Sequence, residues 1–386
     1  MGEWRTVRLG DVAAEVTVGH VGRMADQYQR LGVPFLRSQN VRPHRIDTTD
    51  LEYIDDAFHA SLKKSALRAG DVVTVRTGSP GQSAVVPGWL DEANCSDLVI
   101  TRPGPLLDAR WLSYQLNWLT STHIASRLVG AVQQHFNVRA AKELELCMPG
   151  VDEQRAIAEV LGALDDKIAA NTNSQRLSAT LTTSLYRHAV DADSLSVPFF
   201  RILNVDFGEA FKGDQFASTG EGRPLIRIRD LTSFEPQVWT VERRPAEVTV
   251  APGDVVVGMD GEFRATWWLG DPGLLNQRVC RVHSSIAGGA FVAEAIRGPL
   301  AQIEREKTAT TVIHLNKSDL ERSSVRVPAP TKLTWFEGCA EPVVAALVSA
   351  ARENRVLART RDELLSLLLS GKLRVKDAAA VVSDVV

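Results

Sequence analysis

"DEQRAIAEVLGALDDKIAANTNSQRLSATL", residues 152–181, lies close to the middle of a 386-residue chain. Ile157, Leu161, Leu164 and Ile168 recur at intervals of four, three and four, the seam of a helix that packs along its length. Asn171, Gln175 and Ser178 make the middle of the seam polar, which lowers stability but fixes register. Leu177, Leu181 and Leu185 extend an apolar face further on. Asp152 and Glu153 suit the first turn, where carboxylates meet the positive end of the helix dipole. Neither proline nor glycine interrupts residues 163–190. A rod of about 35 residues is ~50 Å long, longer than a small domain is wide. It therefore needs a partner along its whole seam.

The C-terminal region offers that partner. Val343, Leu347, Ala350, Asn354, Leu357, Arg361, Leu364 and Leu368 keep the same four–three spacing, and Ser370-Gly371-Lys372 stops the helix. Thr334 and Glu337 have capping-box spacing, while Pro342 argues for a later start or a kink. A shift of 183 residues matches Leu164 with Leu347, Asn171 with Asn354, Leu181 with Leu364 and Leu185 with Leu368. Antiparallel pairing would bring Asn171 and Asn354 near the middle. The plainer alternative is two amphipathic helices, each packed on its own domain.

The repeat extends beyond the rods. "LRAGDVVTVRTG" (67–78) matches "VAPGDVVVGMDG" (250–261) at the same shift. "GVPFLRSQNV" (32–41) matches "GRPLIRIRDL" (222–231), and "HFNVRAAKELELCMP" (135–149) resembles "HLNKSDLERSSVRVP" (314–328). Short β-branched runs at 72–75, 98–101, 255–257 and 279–282 predict strands, with helical patches near 110–128 and 290–306. The expected fold class is α+β: two similar domains with mixed curved sheets, separated by two long antiparallel helices in a coiled coil. The expected boundaries are 1–150 and 193–333 for the domains, 151–192 and 334–375 for the helical spacers, and 376–386 for a tail.

Composition excludes several classes. Hydrophobic residues make up 44% and charged residues 24%, a globular balance. No apolar run approaches the ~20 residues of a membrane span, so no membrane partner is expected. The start, Met1-Gly2-Glu3-Trp4-Arg5, lacks a secretory signal pattern. Cys95, Cys147, Cys280 and Cys339 form no CxxC pair, which disfavours disulfides or zinc and favours a reduced, cytoplasmic setting. The net charge of −3 lends no support to nucleic-acid binding, though arginines clustered on one face would suffice.

The order of motifs resembles the specificity subunit of type I restriction–modification systems. The resemblance rests on "PGVDEQRAIAEVL" (149–161), "LDDKIAANTNS" (164–174), "LLLSGKLRV" (367–375), "RTVRLGDVAAEVTVG" (5–19) and the "LRAGDVV" turn. It spans nearly the whole chain. Trp335-Phe336-Glu337-Gly338 stand where the first rod has Asp152-Glu153-Gln154-Arg155, so the second rod's start departs from the pattern. The resemblance implies two target-recognition domains, each reading one half of a bipartite asymmetric site in double-stranded DNA. It implies helices that set the spacer and dock two modification subunits, which methylate adenine from S-adenosylmethionine. A restriction subunit can join. The chain itself would bind no cofactor and carry no catalysis. Free in solution, its helix seams would favour self-association.

Base edges in the major groove are distinguished by Arg or Lys, Asn or Gln, and Asp or Glu. In the first half the candidates are Arg37, Gln39, Asn40 and Arg42; Arg76, Thr77, Ser79, Gln82 and Ser83; and Gln133, Gln134, His135 and Asn137. In the second half they are Arg227, Arg229 and Asp230; Asp260, Glu262 and Arg264; and Thr310, Thr311 and His314. The plainer reading is that most are solvated loop residues, and that Asn137 and Asn316 cap the helices that follow. Trp111 and Trp118, seven apart, read as core, whereas Trp267-Trp268 straddle both faces of a strand and should leave one exposed. The helix-pair interface is expected at Ile157, Leu161, Leu164, Ile168, Asn171, Leu181, Leu185, Leu347, Asn354, Leu357, Leu364 and Leu368.

An Asn/Asp-Pro-Pro-aromatic methyltransferase motif and a GxxxxGK[ST] phosphate loop are absent. "EREK" (304–307) has Glu-x-Lys spacing but reads as a salt-bridged helix surface. The competing function is a coiled-coil scaffold whose two domains bind proteins. A hydrolase or transferase is disfavoured, because one active site needs no duplication.

Overall fold

The structure, a computed structural model, describes residues 4–90, 92–121, 136–218, 220–307 and 313–383. Gln133, Gln134, His135, Thr310 and Thr311 lie outside the described residues. The chain divides into two compact units, Met1–Lys167 with Leu357–Val386, and Ile168–Val356. Each unit therefore takes one α+β domain together with part of each long helix.

In the first unit, strand Arg5–Arg8 pairs antiparallel with Glu145–Met148, so the two ends of the domain are tied together. A four-stranded antiparallel sheet has the order Ala13–Val18, Leu98–Pro103, Val72–Val75, Ser83–Val85. All four residues of Val72–Val75 are buried, which a continuous β-branched run requires of a strand covered on both faces. A smaller sheet joins Glu52–Ile54, Val33–Leu36 and Asn94–Cys95, the last pair parallel. Gly70 starts the turn into Val72–Val75 at φ 87°, and Gly253 does the same before Val255–Gly258 at φ 96°. In both turns an Asp closes the loop: Asp71 accepts from Arg68 N at 3.0 Å and Asp254 from Ala251 N at 2.8 Å.

The second unit repeats this plan. Leu195–Pro198 pairs with Ser324–Val327. The four-stranded sheet runs Asn204–Phe207, Val279–His283, Val255–Gly258, Ala265–Trp267, and Arg223–Ile226 pairs parallel with Gly273–Leu275. The two modules thus share strand order and direction, as the repeat predicts. Trp267 and Trp268 are 4% and 0% exposed, so neither tryptophan is exposed. Trp267 belongs to the main core with Phe291 and Phe336, and Trp268 fills a second core on the other side of the sheet.

The long helices span Val151–Ala189 and Pro330–Leu369. The second starts four residues before Thr334, which lies inside it and donates back to Pro330 O rather than capping. Pro330 sits at the first helical position, where a missing N–H costs nothing, and Pro342 is accommodated in the interior. In the second unit the helices run antiparallel: Asn171 donates to Glu353 (2.7 Å), Tyr186 stacks edge-on against Phe336 and His188 against Trp335. Asn354 donates to Ile168 O and Thr172 Oγ1, both at 3.2 Å. In the first unit Arg361 donates to Asp165 (2.8 Å) while Ile157, Leu161, Leu164, Leu357, Leu364 and Leu368 are buried.

Burial corrects the far end of the first seam. Leu177 and Leu181 are 51% and 47% exposed, whereas Thr182 and Ala189 are buried. The four–three spacing continues through Gln175, Ser178, Thr182, Leu185 and Ala189, and Leu181 stands beside that line. After Leu369, Gly371 at φ 69° reverses the chain, with Lys372 N bonded to Leu367 O. The expected tail is a further helix, Val375–Ser383, which buries Ala378 and Val382.

Candidate nucleic-acid interface

The loops that carry the candidates are built alike in the two units. Directly after strand Val33–Leu36, Asn40 accepts from Arg37 N at 2.9 Å; directly after Arg223–Ile226, Asp230 accepts from Arg227 N at 2.9 Å. Both side chains are 1% exposed. Asn40 also donates to Asp47 O and Asp50 O. These two residues therefore hold the loop and are unavailable to bases, which removes them from the candidates. Ser83 is fully buried within the sheet, bonded to Thr74 and Asn117, and is removed for the same reason. Asn137 caps helix Val138–Glu143 by accepting from Ala140 N, so the capping reading holds there, as it does for Asn316 before Lys317–Glu321.

Arg37 is committed to the loop wall: it bonds Asp50 O at 2.8 Å and pairs with Asp50 and Glu52 at 3.1 and 3.2 Å. Gln39 donates to Asp50, and Arg42 faces Asp47 at 3.6 Å. Arg227 pairs with Asp230 at 3.5 Å, leaving Arg229 exposed at the same loop. Ser79 is exposed, and together with Gln82 it lines a cavity of about 690 Å³ that His44, Asn117 and Arg361 also line. Glu262 and Arg264 bond each other at 2.7 and 2.8 Å on an exposed loop. Ion pairs this exposed contribute little to stability and open at low cost, so both side chains remain free to exchange partners.

One contrast stands out from the shared plan. Beyond strand Val72–Val75, Arg76 pairs with Asp97 at 3.0 Å and Thr77 donates to the same carboxylate at 2.6 Å. Beyond Val255–Gly258, Asp260 pairs with Arg278 at 3.4 Å and with His314 Nδ1 at 2.5 Å. Asp97 and Arg278 each immediately precede the matching strand, Leu98–Pro103 and Val279–His283. The same place in the fold therefore carries a charge pair of opposite orientation. Sequence reading overlooked Asp97 and Arg278. The signal was present, because each stands one residue before a recognised strand, opposite a recognised loop.

No family model matches the chain. It is 30% identical over 189 residues to the type I restriction enzyme EcoBI specificity subunit of Escherichia coli, a match covering 47% of this chain and 40% of that protein. It is 21% identical over 416 residues to the putative type I restriction enzyme MjaX specificity subunit of Methanocaldococcus jannaschii, covering 97% of this chain and 94% of that protein. The chain is a homologue of type I restriction enzyme specificity subunits. It spans less than half of the EcoBI specificity subunit, and the whole-length likeness rests on more distant relatives. The crystal structure of the specificity subunit from M. genitalium has the same fold, with a TM-score of 0.62 and 12% identity over 95% of this chain and 96% of that one.

Among the described residues, no helix is long and apolar enough to cross a membrane, and no cluster of His, Cys, Asp and Glu is placed to hold a metal.

Proposed function

We propose that this chain is the DNA-reading subunit of a type I restriction–modification complex. Each α+β domain reads one half of a bipartite, asymmetric site in double-stranded DNA. The helix pair sets the number of base pairs between the halves and docks two modification subunits. Methyl transfer from S-adenosylmethionine belongs to those partners, and this chain contributes no catalytic group. A restriction subunit completes the assembly when cleavage is required.

The observation that carries this reading is the charge-reversed loop pair on two modules of one topology. An arginine such as Arg76 or Arg229 matches the acceptors of guanine, whereas Asp260 or Glu262 matches the amino group of cytosine. Like folds with unlike readers suit a site whose halves differ. The near-neutral net charge leaves specificity to these few groups rather than to a broad basic face.

The test is a genome-wide map of methylated adenines in cells that express the chain with its partner methyltransferase, against cells that lack it. Two unlike sequence halves at one fixed separation are expected. Methylation indifferent to this chain contradicts the proposal. Binding by the purified complex should weaken steeply with salt, as counterion release requires; salt-independent binding points to a protein-binding scaffold.

A further inference from the structure

Among the described residues, three non-glycine residues adopt positive φ, and two of them stand at matching places. His44 (φ 66°) is the eighth residue after strand Val33–Leu36, and Phe234 (φ 58°) is the eighth after Arg223–Ile226. Left-handed backbone is uncommon for a side chain of this size, and it persists only where the surroundings over-determine it. In each unit an aromatic contact does so. The His44 ring lies 4.4 Å from Tyr114, tilted by 31°. The Phe234 ring meets Trp268 edge-on at 5.8 Å. Tyr114 and Trp268 are 3% and 0% exposed.

Both anchors close the loop that begins at Arg37 or Arg227. His44 ends a Pro43–His44 turn between Val41–Arg42 and Arg45–Ile46, and His44 N donates to Ser83 O at 3.0 Å. Phe234 ends helix Asp230–Ser233, with its N–H on Asp230 O. The exposed candidates Gln39, Arg42 and Arg229 lie between anchor and strand. In the first unit the contact continues inward: Tyr114 donates to Asp165 at 2.5 Å, and Arg361 donates to the same carboxylate.

We propose that His44 and Phe234 are positioning residues, each pinning the recognition loop of its own unit so that only one set of bases satisfies it. The claim rests on the DNA-reading function above. Glycine separates ring from backbone, because it prefers positive φ and removes the side chain. If the residues merely complete a turn, His44→Gly and Phe234→Gly should leave the loops as firm as before. If the rings are the pins, the loops loosen although the backbone strain is gone.

The two units also differ in what can release the pin. His44 is held neutral: burial is the main cause, Arg361 acts in the same direction, and Asp165 and Asp362 oppose it, so that its pKa falls to about 4. Asn117 Nδ2 lies 3.3 Å from His44 Nδ1, an arrangement that suits the neutral ring. Phe234 has no proton to gain.

The experiment uses the full chain in complex with its methyltransferase partner. Backbone hydrogen exchange reports the pins directly. Residues 38–47 should exchange about tenfold faster in His44→Gly, and residues 228–236 in Phe234→Gly, each leaving the other loop protected. In the wild type, acidification below pH 6 should open 38–47 alone, and His44→Gly should abolish that pH dependence. Adenine mapping then reads specificity: His44→Gly should relax the first half-site and Phe234→Gly the second, each by about tenfold, near the lower end of what one bidentate base contact discriminates. Unchanged exchange in both variants overturns the pins. Faster exchange with unchanged half-sites overturns their role in positioning. Relaxation of both halves by either variant overturns the assignment of one pin to one unit. A wild-type complex that directs no methylation refutes the DNA-reading function instead, and the exchange measurement still decides the pins.

Discussion

Gln154 shows how much one side chain of the opening motif does for the fold. It is fully buried; Oε1 accepts from Asp108 N at 2.9 Å, and Nε2 donates to Leu106 O and Pro149 O at 3.0 and 2.9 Å. It thereby fastens the first long helix to the start of helix Ala109–Ser121. Glu337, its counterpart at a shift of 183, accepts from Gly288 N before helix Gly289–Ala295. Gln154→Ala leaves buried polar groups unpaired and should cost about 3 kcal/mol in chemical denaturation, as such groups do. His44 supplies a pH signature. Its folded pKa, about 4, lies below the unfolded value near 6.5. The unfolded chain therefore takes up the proton first, so stability is intact above pH 6.5 and falls as pH drops towards 4. That lowering corresponds to about 3 kcal/mol, at ~1.4 kcal/mol per tenfold change in proton affinity. Denaturation midpoints measured between pH 7 and 4 should show that fall reduced in His44→Gly. Neither role was legible in the sequence. A Gln in a helix start and a His after a Pro look like solvated residues, and only the fold brings their partners from far along the chain.

The long helices were the most legible elements, because a seam of four–three spacing repeats often enough to outweigh any single residue. Their ends were less so. Leu181 is apolar and suits the seam by residue type, yet the spacing from Ser178 leads to Thr182, and the structure buries Thr182. Leu161→Ala should cost about 3 kcal/mol, as a leucine removed from a packed core does. Leu181→Ser should stay within about 0.5 kcal/mol, as surface substitutions do. Equal losses at both positions would mean that the seam follows leucines rather than spacing. The start of the second helix differs from expectation for a similar reason: the spacing of Thr334 and Glu337 imitates a cap, while Pro330 is the residue that opens the helix. Strands form where β-branched residues cluster: the expected runs 72–75 and 255–257 are strands Val72–Val75 and Val255–Gly258. Both tryptophans of the pair are buried because the sheet is covered on both faces, so alternation does not imply exposure.

For the whole molecule, the internal repeat was the most informative feature, since it implied two modules of one topology before any strand was placed. Which loop residues face outward was far less visible, because Asn40, Asp230 and Ser83 are chemically suited to bases yet spent on the fold. On the proposed function, the helices of 39 and 40 residues are a ruler of ~60 Å. One heptad inserted into each, between Ala169 and Ala170 and between Glu353 and Asn354, preserves the four–three seam. Mapping methylated adenines for that variant beside the wild type is the most direct measurement of the account. The expected result is an unchanged pair of half-sites with a longer spacer, by about three base pairs for ~10 Å of added helix. A folded, active variant that keeps the original spacer, or that reads different bases, would contradict it.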